Sequence, residues 1–518
     1  MDEIQPSLES EDVRSRLPQA IGDWQEILAD KWVSTAEADI DKWGQATYPT
    51  NAVPLAVIWP ATADEVASCL KVAARHRVPL YTVSTGRNWG LGSAVPPRPG
   101  CVLMVLTRMN RIVDFDEELA YVAVQPGVTQ RQLSEFLASR GSRLQFGVTG
   151  SSPDSSIVGN VLERGDAEGV NGDRFENVCA LEVVLSTGET IRTGFSRFPG
   201  ALTKSLHRWG VGPWLDGIFT QSNLGVVTQL TLWLAPRPAG ARTFSFAVDS
   251  DESLSRLIDA LRRLRLSRVL DGGLVFANDV RAIAEQRQFP FDECDSGQAL
   301  PSEVLSRLRH EHGVLRWNGG GVIYAADDAI SEALWSRVEA ELSGCADTLE
   351  SATGDAIVEA AAVGTPVETH LRMAYWRLRK PIPDSPLHLD RDGCGLIWCC
   401  PVVPFVGAHV VAAAAIVREV CTDAGFETNI GLHLVAPRSI AMTVAIPFDR
   451  SVESESKRAA EASALMHKRF AETGYIPYRV PTSSMDVMHR ASDDSLPILR
   501  RLKSALDPAN VLSPGRYE

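Results

Sequence analysis

Apolar and polar positions along the chain predict short strands interleaved with amphipathic helices. Ala52–Trp59 is a short apolar run closed by Pro60. Thr62-Ala63-Asp64-Glu65 then reads as a capping box, in which the Thr62 hydroxyl accepts from the Glu65 amide. Val66, Leu70 and Ala73 recur at helical spacing, Val78–Val83 is a β-run, and Thr85–Ser93 is rich in glycine. Residues 52–93 therefore read strand, helix, strand, glycine loop. That order predicts an α/β unit with the loop at a strand end, where ligands usually sit.

Further strands are predicted at Val102–Leu106, Tyr121–Val124 and Val226–Leu234. Val128–Arg140 reads as a helix with Leu133 and Leu137 inward. Ala180–Leu185 and Thr190–Thr193 flank Ser186-Thr187-Gly188-Glu189, a hairpin signature. Ala235–Gly240 holds two prolines and a glycine and marks the best domain boundary. Beyond it, Phe244–Val248, Val322–Ala325, Gly395–Val403 and Ile440–Ile446 read as strands. Ser253–Leu264 and Val410–Val420 read as helices, so residues 241–470 look like a second α/β unit. Residues 1–45 look helical and polar, and Asp494–Leu506 predicts a helix in the tail.

The length of 518 residues allows about two to four domains. Lys and Arg number 51 against 65 Asp and Glu, giving a net charge of −14 that argues against nucleic-acid and anionic-membrane partners. Val410–Val417 is the longest apolar run, and Arg418 and Glu419 follow at once. It falls short of the ~18–20 residues a membrane helix needs, so it reads as a buried helix. The first 18 residues carry no apolar signal core. The nine cysteines are scattered without CxxC spacing, and Cys399 and Cys400 would point to opposite faces of a strand. Reduced thiols in a cytoplasmic protein are the expectation. His310-Glu311-His312 has spacing that splays the two rings apart on a helix, so no metal site is expected.

Two segments are candidates for ligand binding. The first is Thr85-Gly86-Arg87-Asn88-Trp89-Gly90-Leu91-Gly92-Ser93, which matches neither a Walker A loop nor G-x-G-x-x-G. Its glycines let the backbone approach a phosphate and present successive N–H groups. The alternative is a glycine-rich surface turn. The second is Gly147–Asn160, hydroxyl-rich but punctuated by Ile157-Val158, which argues against a merely flexible loop.

With these motifs in place the sequence resembles the FAD-linked oxidases of the vanillyl-alcohol oxidase and p-cresol methylhydroxylase type. Gly86–Gly92 resembles the family's first pyrophosphate loop, Pro126-Gly127-Val128-Thr129 its PGVT turn, and Gly159–Gly165 its GNxxERG motif. Gly188–Gly194 and Phe219–Thr228 resemble the end of its FAD domain. Tyr478-Arg479, Met485-Asp486, Leu506–Pro508 and Pro514-Gly515-Arg516 resemble its C-terminal return to the flavin.

The resemblance implies an α+β, two-domain PCMH-type FAD-binding fold with an α/β substrate cap. Residues 46–235 and 471–518 would hold FAD and 236–470 would form the cap. The cofactor contacts it implies are Thr85, Gly86, Arg87, Asn88, Trp89, Gly90, Leu91, Gly92 and Ser93. Pro126, Gly127, Val128, Thr149, Gly150, Ser151, Ser152, Ser155 and Ser156 follow. Gly159, Asn160, Glu163, Arg164, Asn223, Gly225, Val226, Val227 and Arg516 complete the set.

The implied chemistry is hydride transfer from a small aromatic or cyclic alcohol, phenol or amine to flavin N5, with O2 or an electron-acceptor protein reoxidising the flavin. An oxidative cyclase or desaturase of a larger metabolite, and a flavin-free binding protein, are the alternatives. A homodimer is compatible with the resemblance.

Several positions depart from the pattern. Tyr478 and Arg479 match a tyrosine and an arginine that hold phenolate substrates, but Leu91 stands where the family has a second tyrosine. The alternative for Tyr478-Arg479 is a surface tyrosine and an ion-paired arginine. The family's acidic residue near N5 falls at Ser151, with Asp154 three residues later as the alternative base. Neither His nor Tyr occurs at Ser439–Val444, and Arg87 replaces a linking His, so FAD is expected to be non-covalent. His433 lies a few residues upstream as a candidate base or substrate ligand. In the cap, Tyr375 and Trp398 are candidate substrate contacts, with core packing the alternative.

Overall fold

The computed structural model describes residues 10–167, 169–295, 297–354, 365–384, 386–486 and 493–518. Its helix Ala63–His76 begins as the sequence predicts: the Glu65 amide donates to Thr62 Oγ1 at 3.1 Å. Glu65 in turn accepts from the Ala61 amide at 2.6 Å. The N-terminal helix Ser10–Leu28 packs on it through Val13, Ala20 and Trp24, whose indole N–H donates to the Cys69 carbonyl.

These helices cover a four-stranded sheet in the order Val33–Ser34, Val57–Ile58, Val102–Val105, Leu80–Val83. Its last three strands are parallel, and the glycine loop leaves the C-terminal end of Leu80–Val83. An antiparallel sheet follows, ordered Ile112–Asp116, Tyr121–Val124, Val226–Trp233, Val178–Val184, Thr190–Arg192. It contains the expected hairpin. The Pro-rich segment after it is no loose linker. Ala235–Pro236 pairs with Leu144–Gln145, and the next strand starts at Gly240.

The remaining large sheet has eight strands. Their order is Thr348–Ala352, Gly240–Val248, Trp317–Ala325, Leu274–Asn278, Ile430–Leu434, Ser439–Asp449, Cys394–Pro404, Pro477–Arg479. Helices Asp251–Leu266, Asp328–Leu342, Gly407–Asp423 and Glu453–Thr473 bury one face with Leu257, Val338, Val417 and Phe470. Strand alternation sends the other side chains the opposite way. Leu274 and Phe276 join the helix-covered core, while Val275 and Ala277 face a cavity. Cys399 is likewise in that core and Cys400 on the cavity, as the adjacent-cysteine argument requires.

The C-terminal segment touches both halves. Pro477–Arg479 is the edge strand beside Cys400 and Pro401, so it belongs to the large sheet before the chain turns back. The tail helix is Leu496–Leu506, two residues shorter than its pattern. The chain then docks beside Leu80, whose amide donates to Val511 O and whose carbonyl accepts from Ser513 N, each at 2.7 Å. Among the described residues no helix is long and apolar enough to cross a membrane, and no cluster of His, Cys, Asp and Glu could hold a metal ion. All nine cysteines are free thiols.

Candidate active site

A cavity of about 440 Å³ lies between the two loops and the uncovered face of the large sheet. Its first wall is the glycine loop. Left-handed backbone at Gly86 and Gly90, and positive φ at Gly92, fold Asn88–Ser93 into a tight turn in which the Leu91 and Ser93 amides donate to Asn88 O. Trp89 Nε1 and Ser93 Oγ donate to the buried Asp390 carboxylate at 2.8 and 2.9 Å. Burial pushes that acid up to about 6.

The second wall is the hydroxyl-rich loop. Ser156 accepts from the Gly159 amide and donates to Pro126 O, opening the short helix Ile157–Leu162. The Ser156 amide donates to Thr85 Oγ1 and ties the two loops together. A buried guanidinium fixes the loop from behind. Arg174 donates to Gly147 O, to Asn160 Oδ1 at 3.0 Å and to Gln130 Oε1 at 2.7 Å. Gln130 also accepts from the Thr149 amide. Burial among neutral acceptors lowers Arg174 to about 9. Nothing in the local sequence around Arg174 marked it.

These walls fit a flavin dinucleotide. A β-carbon at Gly159 would fall 2.4 Å from Ser84 Oγ, so only glycine leaves the loops this close. Two hydroxyls on the wall, Thr82 Oγ1 and Ser222 Oγ, have no hydrogen-bond partner. Arg516 donates to the Tyr81 hydroxyl and pairs with Glu163, placing a cation at the same wall. Small residues, backbone amides and unspent hydroxyls form a donor set suited to a pyrophosphate and a polyol.

Of the expected cofactor contacts, Thr85 to Trp89, Leu91, Ser93, Pro126, Thr149 to Ser151, Ser155 and Ser156 line this cavity. So do Gly159, Asn160, Glu163, Asn223, Gly225, Val226, Val227 and Arg516. Six others are not on the lining. Gly90 and Gly92 make room for Trp398 and Thr482. Gly127 sits against the Thr107 and Met109 carbonyls, and Val128 is core. Ser152 accepts from Arg87, and Arg164 donates to Thr220.

Two further expectations are corrected. Asp154 is not brought to the cavity. Its carboxylate is engaged by Arg131 at 2.8 Å and Arg87 at 3.2 Å. Burial works to raise its pKa, but those two cations hold it below the ordinary carboxylate value. Tyr375 is fully buried, and its hydroxyl donates to Asp392 at 2.6 Å, so it is spent on the cap core.

Trp398, His433, Tyr478 and Arg479 do line the cavity. Arg479 Nη2 donates to Asn88 Oδ1 at 2.8 Å, while its Nε has no partner. Burial, with Asp166 and Cys400 nearby, pushes the Tyr478 hydroxyl well above its usual range. Sequence reasoning missed Asp166 and Arg281. Arg281 lies 5.3 Å from the Trp398 ring centre and against Gly431, where a β-carbon would fall 3.2 Å from its guanidinium carbon. Charges from both Arg479 and Arg281 act on the Cys400 thiol, which burial raises to about 12. His433 is driven down to about 3 by burial, then by Arg281 and His370, and is neutral at pH 7. His370 itself pairs with Glu285 at 3.1 Å on the same wall.

Residues 54–194 match the family model described as an FAD binding domain. The chain is 41% identical over 528 residues to a 1'-carboxy-chondrochloren decarboxylase of Chondromyces crocatus, covering 97% of each chain. It is 29% identical to the flavoprotein subunit of a hydroxylating 4-cresol dehydrogenase of Pseudomonas putida, covering 89% of this chain and 87% of that one. The fold superimposes on substrate-bound p-cresol methylhydroxylase with a TM-score of 0.90 at 26% identity, over 97% of both chains. The glycine-loop cavity, the half-buried Tyr478-Arg479 pair and these matches together place the chain in the p-cresol methylhydroxylase-type family of FAD-dependent oxidoreductases.

Proposed function

We propose that this enzyme oxidises a phenol that also carries a carboxylate and releases the carboxyl group as CO2. The observation that carries the reading is the pair of guanidinium groups on one cavity, Arg479 beside Tyr478 and Arg281 beside Trp398. Two guanidinium groups on one cavity suit a ligand with two acidic groups, Arg281 being also held within the protein, where its Nη1 donates to Asn429 Oδ1 at 3.4 Å. The decarboxylase relative supports the reading, because its name specifies a carboxylated substrate.

Bound FAD supplies the two-electron acceptor for a hydride. On the substrate side, the phenol loses its proton and the carbon next to the ring loses the hydride. The bond from the following carbon to the carboxylate then breaks, and its electron pair becomes the new double bond. Arg479 and Tyr478 stabilise the phenol oxygen as charge develops on it. Arg281, beside the Trp398 ring, holds the carboxylate. Leu91 contributes no hydrogen bond to the phenol.

We also propose that FAD is held without a covalent bond, since Arg87 is engaged by Asp154 and Ser152 and Thr443 faces the cavity on the strand where a linker would sit. Residues 46–235 with the chain after Arg479 would form the cofactor half, and the cap would run on from 236 past the expected boundary at 470, because helix Glu453–Thr473 and strand Pro477–Arg479 belong to the large sheet. Reoxidation would use O2 or an acceptor protein.

The test is anaerobic mixing of holoenzyme with 4-hydroxyphenyl substrates, with and without a carboxylate on the second side-chain carbon. One CO2 released per flavin bleached is expected for the carboxylated compounds. Equal bleaching by carboxylate-free 4-alkylphenols without CO2, or no bleaching by any phenol, overturns the reading. Yellow colour retained in an acid-precipitated pellet overturns non-covalent binding.

A further inference from the structure

We infer that Asp166 is the catalytic proton acceptor for the phenol O–H of the substrate. The inference rests on the reading that a phenol is held at Tyr478 and Arg479.

Asp166 follows directly on the Gly159–Gly165 motif yet belongs to none of the expected contacts. It lines the cavity, and its Oδ2 has no hydrogen-bond partner. Its position is fixed by backbone. Residues 166 and 173 form an antiparallel bridge, and the Ala167 amide donates to Gly172 O at 2.8 Å. On one side Gly165 packs so closely on Asn160 that a β-carbon would fall 2.2 Å from its amide nitrogen. On the other, Ala167 lies against Gly147. The carboxyl is thus held beside the wall that carries Tyr478 and Arg479 rather than on a loose loop tip.

Arg479 and Asp173 act on it by charge and Tyr478 by a side-chain hydrogen bond, and Asp166 in turn acts on Cys400. Leu91 on the same cavity supplies no donor, so the groups for a phenol oxygen are Tyr478, Arg479 and the acceptor Asp166. That arrangement suits a substrate that enters as a neutral phenol and loses its proton in place. The O–H bond breaks, the proton moves to an Asp166 oxygen, and the electron pair stays on the phenol oxygen beside Arg479. Burial raises Asp166 to about 6, so its proton affinity moves towards that of the phenol while the acid stays ionised at pH 7.

The test uses holoenzyme and 4-nitrophenol, a phenol with no oxidisable side chain, so the readout is ligand ionisation rather than turnover. Mixing near pH 6.5 in weak buffer with an indicator dye reads the bound nitrophenolate band and proton release together. In the wild type the phenol proton stays on Asp166, so nitrophenolate should form with little proton release. Asp166→Asn has no acceptor, and loss of the nearby negative charge does not oppose phenolate, so each nitrophenolate formed should release about one proton to the buffer. Flavin absorbance should be retained, and Asp166→Glu should again hold the proton back. Equal proton release by wild type and Asp166→Asn overturns the inference alone if carboxylated phenols still release CO2. Failure of the wild type to bind 4-nitrophenol overturns both readings.

Discussion

The Trp398 amide donates to the Gly90 carbonyl at 3.0 Å, and the indole lies so close to Gly90 that a β-carbon there would fall 2.1 Å from Trp398 Cδ1. This contact joins the glycine loop to the large sheet. Gly90 also has φ +75°, which L side chains rarely adopt. Gly90→Ala should therefore destabilise the protein by about 2–4 kcal/mol, adding overpacking to backbone strain. A lowered thermal midpoint together with weaker flavin retention on gel filtration checks it.

Arg174 predicts a different kind of failure. Its removal leaves Gly147 O, Gln130 Oε1 and Asn160 Oδ1 without their buried donor. Arg174→Met should cost on the order of 2–4 kcal/mol, the range for several buried acceptors left short. The urea midpoint should fall, and FAD added back should restore less of the stability than it does in the wild type.

Asp154 should be nearly silent. Its partners are partly exposed, and such ion pairs contribute about 0–1 kcal/mol. Because its pKa is held below 3.8, its small contribution is present above that value and lost as pH falls through the lowered one. Asp154→Asn should keep its flavin and change kcat by less than about threefold. A loss near the ~100-fold typical of a missing general base would restore Asp154 to the chemistry.

His433 makes the fold sensitive to acid. The folded protein keeps it neutral down to about 3, whereas the unfolded chain protonates near 6.5. Its stabilising share is present above 6.5 and is lost progressively as pH falls towards the folded value. His433→Gln should flatten the drop in thermal midpoint between pH 7 and pH 4.5. Identical slopes in the two proteins would remove His433 as the cause.

Arg281 carries the carboxylate reading. Arg281→Met should raise KM for a carboxylated phenol about 30-fold, the worth of a charge-assisted hydrogen bond of ~2 kcal/mol. Binding of a carboxylate-free analogue should stay within about twofold. Steady-state kinetics on the two ligands separates them.

Much of the cofactor wall was legible because it is local. Gly86–Gly92 and Ser151–Asn160 are contiguous runs whose residue types announce close backbone approach, and most of them line the cavity. Of the expected catalytic and substrate residues, Trp398, His433, Tyr478 and Arg479 also line it. Asp154 and Tyr375 were misread because a side chain's partners, Arg131 or Asp392, lie outside its own segment. Arg281 and Asp166 gave no local signal at all.

The strands near Leu80–Val83, Val102–Val105, Tyr121–Val124 and Val226–Trp233, the capped helix after Thr62, the glycine loop at a strand end and the FAD-binding motifs follow from the sequence by itself. Each is written in neighbouring residues through period, capping and backbone freedom. Which acids and bases share the cavity was decided by tertiary structure. The sheet brings Ala277, His433, Thr443, Cys400 and Arg479 from five separate strands to one face. Strand alternation sets their direction, but only pairing across the sheet sets their neighbours. The electrostatics follow the same rule. Burial raises Asp166 and lowers His433, and burial is a property of the packed whole.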